Sequence, residues 1–403
     1  MANTERKTDM DQSEEDITVL SLPGLTIDLK HQNGFLQLEA KGHLRGVCSP
    51  FLKKFNSTLE AEKPALVEKD RVIASTWLPP IPGKVFNRLL YAETQIALGK
   101  YIPETVSFEI TRQCRCKCDH CVISGGEGDL DVDTVKRTID EALDMGAVVI
   151  TFTEGDPLLR EDIFELIDYV DKDRAIVNMY TPGTDMTQEV AERLKEVGLH
   201  NLLVSIYSTV PEEHDDVRKL EGAFEKATNA IRYGLDAGLL VTMCTHVSPK
   251  NIEKLTSMYQ FAKELGVHEF SLWESVPKKP EDPIITDEDR EVIMEMYRRI
   301  NATEDGPRIF ANTYFEGEML GCMAGQRWLH VCVEGSVKPC PYIPFSFGNI
   351  KTDNLRTIWS RIRKVSDFKG ERHSCLMQEK DYLKLVSKIP EDAGTPYDFD
   401  LIR

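Results

Sequence analysis

The sequence predicts an α/β protein built on a parallel sheet with its helices outside. Two observations predict it. Six apolar, strand-like runs recur at 106–111, 147–152, 175–180, 201–207, 239–245 and 268–273. Helix-like stretches follow them, the first opening at Asp131 or Asp133 and the others near 161–172, 187–197, 222–237, 251–265 and 287–300. Alternating β and α units of this length need crossover connections, which give parallel strands. Six units are too few for a full eight-stranded barrel. A chain of 403 residues, 41% of them apolar, can build a substantial core and suggests two or three domains.

Residues 1–17 are polar and charged and read as a disordered tail. Residues 18–83 read as a small β-containing module. Two alternating runs, Leu25–Leu29 and Leu36–Ala40, flank Asn33-Gly34, a strong hairpin signal. Its reading is a packing or capping element. Trp77-Leu-Pro-Pro-Ile-Pro82 is a rigid, linker-like stretch, and a helical pattern follows from about Val85 to Leu98. Residues 84–304 hold the six units. Their first helix shows the logic: an aspartate cap, one face of Val135, Ile139, Ala142 and Leu143, and a stop at Gly146. After 305 the periodicity stops, and residues 305–403 form a separate C-terminal region.

The net charge of −18 argues against a nucleic-acid or anionic-membrane partner, because both attract basic patches. The sequence shows no signal peptide and no apolar run long enough to span a bilayer. Ten cysteines without a secretory context point to a reducing, cytoplasmic setting and to thiolate chemistry.

Cys114, Cys118 and Cys121, with three and then two residues between them, follow the first strand-like run directly. Parallel α/β architectures place their chemistry at the carboxyl ends of strands. Three thiolates anchor a four-iron cluster and leave one iron without a protein ligand. Structural zinc with His120 is the alternative. Cys116 reads as a bystander. The loop resembles the cluster motif of the radical S-adenosylmethionine (SAM) superfamily. That resemblance implies a partial (β/α)6 TIM-like barrel and a [4Fe-4S] cluster whose open iron binds the methionine end of SAM. It also implies reductive cleavage to a 5′-deoxyadenosyl radical, and a ferredoxin- or flavodoxin-like reductant.

Further segments agree with the resemblance. Thr153-Glu154-Gly155-Asp156-Pro157 resembles the Gly-Gly-Glu-Pro motif that holds the SAM ammonium, with Glu154 in place of a glycine and Asp156 in place of the glutamate. The shorter reach of Asp156 shifts that contact towards the backbone. The bland alternative is an ordinary turn. Ser205, then His214-Asp215-x-x-Arg218 and Gly222-Ala-Phe224, resemble a segment whose serine and arginine approach the ribose and carboxylate of SAM. An arginine fork suits a carboxylate. Tyr207 stands where aspartate is frequent. His246 and Trp273-Glu274 end the fifth and sixth strands, as substrate or adenine contacts or as plain packing.

In the C-terminal region, Cys322, Cys332, Cys340 and Cys375 accompany a hairpin pattern, with Trp328–Val333 as one strand, Glu334-Gly335 as the turn and Val337 beyond it. With Phe347-Gly-Asn-Ile350 and Ile358-Trp359, this resembles the SPASM or twitch auxiliary-cluster extension. A full SPASM region carries about seven cysteines; four remain here, so the resemblance implies one auxiliary iron–sulfur cluster. Cys322, Cys340 and Cys375 are the expected ligands. Cys332 is a fourth ligand or equally a small buried residue of the hairpin strand, in which case His373 or a bound substrate fills the fourth place. Cys48 and Cys244 read as core.

The sequence-based expectation is therefore a radical SAM oxidoreductase, maturase or bond-forming enzyme acting on a peptide, protein or small-molecule substrate. The alternative is a non-catalytic iron–sulfur or zinc scaffold or electron carrier.

Overall fold

The computed structural model describes residues 16–32, 34–46, 52, 53, 56, 59, 62–118, 120–121, 128–278, 281–370, 372–390 and 393–402. Asn33 of the hairpin signal, Cys48 and nearly all of the expected tail lie outside these residues.

The amino-terminal module is an antiparallel sheet of β1 (Ile17–Leu22), β2 (Leu25–Gln32) and β3 (Phe35–Lys41). Alternate side chains of β2, Leu25, Ile27 and Leu29, are buried with Leu36 and Leu38 of β3. This is the period-two burial expected of a one-sided sheet. A short hairpin follows, β4 (Leu66–Val67) with β5 (Val72–Ile73).

The main sheet begins with β6 (Thr105–Glu109), β7 (Val149–Thr153), β8 (Ile176–Thr181), β9 (Asn201–Ser205), β10 (Leu240–Val247) and β11 (Glu269–Glu274), all parallel and in sequence order. The helices cap as their sequences direct. Asp131 accepts from the Thr134 amide at 2.9 Å, and Gly146 takes the left-handed C-cap at φ 105°.

The sheet does not stop at residue 304. A seventh parallel strand, β12 (Arg308–Ala311), extends it beside β11. At the other edge β13 (Trp328–Val331) pairs in parallel with β6, and β14 (Val337–Lys338) returns antiparallel to β13. The C-terminal region therefore shares a sheet and a core with the barrel rather than forming a separate layer.

The Trp77 stretch is not a linker. Ser75 and Thr76 are buried at the amino-terminal ends of the strands, where Thr76 donates to Glu269 at 2.6 Å and accepts from Thr242 at 2.8 Å. Glu269 also pairs with Arg308 at 3.1 Å, and Arg308 pairs with Glu62, which accepts from the Tyr297 hydroxyl at 2.5 Å. This charged stopper closes the bottom of the barrel and aims Trp77 upward against Tyr180, Trp273 and Phe310, with ring centroids 5.4–6.1 Å away.

Arg308 is 3% exposed and carries the only positive charge of that stopper among the described residues. Arg308→Ala should cost about 3–5 kcal/mol of unfolding free energy, because Glu62 and Glu269 would stay buried without a counter-charge. Denaturant titration of both proteins in the same loading state reads this directly.

Candidate functional site

The carboxyl ends of the parallel strands surround a cavity of about 510 Å³. Trp77 forms its floor and the loop of Cys114, Cys118 and Cys121 its rim. Among the described residues, one trio of metal-ligand side chains brings its donor atoms within 4.8 Å of one another, and it is not these three cysteines. His120 does not turn towards them as a fourth ligand: its Nε2 lies 3.0 Å from the Tyr207 hydroxyl and its ring packs on His246. Burial pushes the imidazoles of His120 and His246 down to about 3 and about 4, so both are neutral.

The buried Cys116 thiol lies beside this set and lowers the pKa of Cys114, and with the Arg218 guanidinium it holds Cys118 down to about 6. A lowered thiol pKa favours the thiolate that a metal needs.

The His-Asp-x-x-Arg segment is a positioning device. His214 Nδ1 accepts from the Tyr207 amide at 3.2 Å. Asp215 accepts from the amides of Gly222 and Phe224 at 2.6 and 2.8 Å, and so caps the helix Ala223–Asp236. Arg218, the last residue of the helix Pro211–Arg218, then reaches into the cavity. Its Nη2 donates to the Ser205 carbonyl at 2.9 Å, Nη1 lies 3.7 Å from Cys118 Sγ, and the guanidinium stacks over Tyr207. Its buried Nε has no partner among the described residues. An unpaired buried donor on a cation is costly, and an incoming carboxylate would satisfy it. Ser205 also lines the cavity, with its hydroxyl 3.5 Å from the Cys244 thiol. Cys244, read as core, is buried and lines the same wall.

The Glu154-Gly155-Asp156 turn divides its residues. Thr153, Glu154 and Gly155 face the cavity, and Asp156 does not line it. Asp156 is fully buried and accepts from Thr181 at 2.8 Å, Thr184 at 3.2 Å and the Leu158 amide at 3.2 Å. Its carboxylate therefore shapes the turn, and the residues before it line the cavity. Glu154 adopts φ 63°, and its Oε2 lies 2.9 Å from Nε2 of His330, whose Nδ1 sits 2.9 Å from the Ser107 hydroxyl. Gly155, at φ 66°, must be glycine: a Cβ there would sit 2.4 Å from the Thr111 carbonyl.

A second cavity, of about 220 Å³, adjoins the first. Cys322, Cys340 and Cys375 line it together with Glu316 and His373. Trp273, Trp328 and Tyr342 line both cavities. Glu274 faces only the second. It accepts from Thr313 at 2.7 Å, Arg290 at 3.1 Å and Gln378 at 3.0 Å, which fastens the barrel to the C-terminal region.

Cys332 does not complete the three-cysteine set. It belongs to the close trio with Glu109 and His330. His330 and Cys332 are two residues apart, so strand pleating turns both to the β6 side. Both nitrogens of His330 face partners, and Glu109 bonds Arg112 and the Val333 amide, each at 3.1 Å, so this trio reads as a hydrogen-bonded core. Sequence reasoning missed Trp77, Trp328, His330, Thr151 and Glu316. Only the indole and imidazole residue types hinted at them.

Two family models match the chain: the radical SAM superfamily over residues 108–262 and the iron–sulfur cluster-binding SPASM domain over residues 322–380. The AdoMet-dependent heme synthase of Methanosarcina barkeri is 29% identical over 308 residues, covering 68% of this chain and 88% of that protein. The antilisterial bacteriocin subtilosin biosynthesis protein AlbA of Bacillus subtilis is 29% identical over 269 residues, covering 64% and 60%. Streptococcus suis SuiB superposes with a TM-score of 0.56 at 15% identity over 83% of this chain and 86% of SuiB, a likeness of fold. No helix among the described residues is long and apolar enough to cross a membrane.

Burial raises the Asp156 carboxyl to about 6 from 3.8. The folded chain holds this proton more tightly than the unfolded chain does. Its contribution to stability is therefore full below about pH 4 and is lost as pH rises through 6. Asp156→Asn should flatten the stability profile across that window, as measured by denaturant unfolding at pH 4, 5, 6 and 7.

Proposed function

We infer, since the chain belongs to the radical SAM superfamily and carries an iron–sulfur SPASM domain, that it oxidises or couples a substrate moiety held between two cluster sites. The family's enzymes use a [4Fe-4S] cluster with SAM, and their SPASM domains carry auxiliary iron–sulfur clusters. When bound, the cluster and SAM supply a 5′-deoxyadenosyl radical that takes a hydrogen atom from substrate, with a ferredoxin- or flavodoxin-like protein as reductant.

Cys114, Cys118 and Cys121 hold the first cluster in this reading. Arg218 offers its unpaired Nε to the SAM carboxylate, the Thr153–Gly155 backbone faces the ammonium, and Ser205 faces the ribose. Cys322, Cys340 and Cys375 hold the auxiliary cluster. The carrying observation is the common wall of Trp273, Trp328 and Tyr342 between the two cavities. A substrate against that wall would lie between the residues that would hold the two clusters, Cys114, Cys118 and Cys121 on one side and Cys322, Cys340 and Cys375 on the other.

A cavity of about 510 Å³ that must also take SAM admits one compact, largely apolar moiety at a time. That moiety is a small biosynthetic molecule or a single side chain of a peptide or protein. The relatives' names span both, a heme synthase and a bacteriocin biosynthesis protein. A scaffold or electron carrier has no use for the unpaired Arg218 donor.

Anaerobic protein reconstituted with iron and sulfide should release 5′-deoxyadenosine from SAM with dithionite. Cys118→Ala should abolish that release, as read by chromatography; equal release from both proteins would overturn the assignment. Iron analysis should give about eight atoms per chain, falling to about four in the Cys322→Ala, Cys340→Ala, Cys375→Ala triple variant.

A further inference from the structure

We propose that the carboxylate of Glu316 completes the ligand set of the auxiliary cluster; this rests on the reading that Cys322, Cys340 and Cys375 hold that cluster. Three observations converge on it.

The first is supply. The C-terminal region brings three thiols into the second cavity, and its fourth, Cys332, does not line that cavity and sits in the close trio with Glu109 and His330. Four-iron clusters bound to protein alone take four ligands. His373, at the exposed rim, has its Nδ1 2.6 Å from the Gly317 carbonyl. Glu316 lines the same cavity as the three cysteines.

The second is the state of the Glu316 carboxylate. It makes no hydrogen bond and no ion pair among the described residues. The cation nearest in the lining, Arg290, is spent on Glu274, Asp287 and Gln378. A half-buried carboxylate without a counter-charge carries a desolvation cost, and a metal centre would offset it.

The third is the backbone. Glu316 is the central residue of a π-helical turn, Thr313–Met319. Such turns are rare, give poorer packing than an α-helix and concentrate at functional sites. This one lies between the last parallel strand and Cys322, where it presents Glu316 to the cavity.

An oxygen donor makes one iron unlike the other three while keeping its coordination closed. The test removes the first cluster so that only the second reports. Protein with Cys114→Ala, Cys118→Ala and Cys121→Ala should bind about four irons after anaerobic reconstitution. Its reduced EPR spectrum should not move on adding cyanide. Adding Glu316→Ala should open one iron, so that cyanide shifts the g-values, and Glu316→Cys should restore a cyanide-insensitive four-iron centre. If Glu316→Ala loads little iron, recovery of loading in Glu316→Cys still supports the proposal and failure to recover overturns it. Cyanide acting equally on the parent and Glu316→Ala, or on neither, also overturns it. A parent that binds no iron overturns the auxiliary-cluster reading itself, a separate result.

Discussion

The arrangement of this molecule hangs on one short pairing, β13 laid in parallel beside β6 from Thr105 opposite Trp328 to Phe108 opposite Val331. That register carries Trp328 into the barrel mouth, where its indole donates to Ser107 at 2.8 Å, and carries His330 to Glu154. It also delivers the hairpin bearing Cys340. A one-residue slip would reverse the faces of Trp328, Leu329 and His330 and part the two cavities. The barrel supplies a framework, and this edge strand turns two separate cysteine sets into neighbours.

The second constraint is charge in a dry place. Glu62, Glu269 and Arg308 at one end, and Glu154 with His330 near the other, are polar groups that a core accepts only when partnered. Each of these partnerships joins segments far apart in sequence, so the barrel, the amino-terminal module and the C-terminal region are interlocked. Arg218 breaks the pattern. It is buried, stacked on Tyr207 and held by a carbonyl, yet one of its donors is left over.

Much of this was legible in the chain itself where the information is local. The cysteine spacing, the Asp131 cap, the Gly146 stop and the alternation of β and α units are all written within a few residues of where they act. Trp77 was not legible, because a Pro-flanked stretch looks like a spacer; its partners Tyr180, Trp273 and Phe310 lie more than a hundred residues away. The ligand identity of the second cavity was hidden for a related reason. The sequence left the place of Cys332 open between ligand and buried strand residue, and the fold sets it beside Glu109 and His330, while Glu316 sits in a turn whose geometry has no clear sequence signature. The extent of the sheet was misjudged because β12 is only four residues, too short for periodicity to register, and because nothing local shows that the Trp328 strand pairs with β6.

The stopper made by Ser75 and Thr76 has a consequence for traffic. With the lower end of the barrel plugged, small molecules enter and leave past the upper rim, the same lip that carries Cys114, Cys118 and Cys121. Any small molecules the cavity takes would then share one doorway. Whichever guest lies deepest, nearest Trp77, is the last to depart.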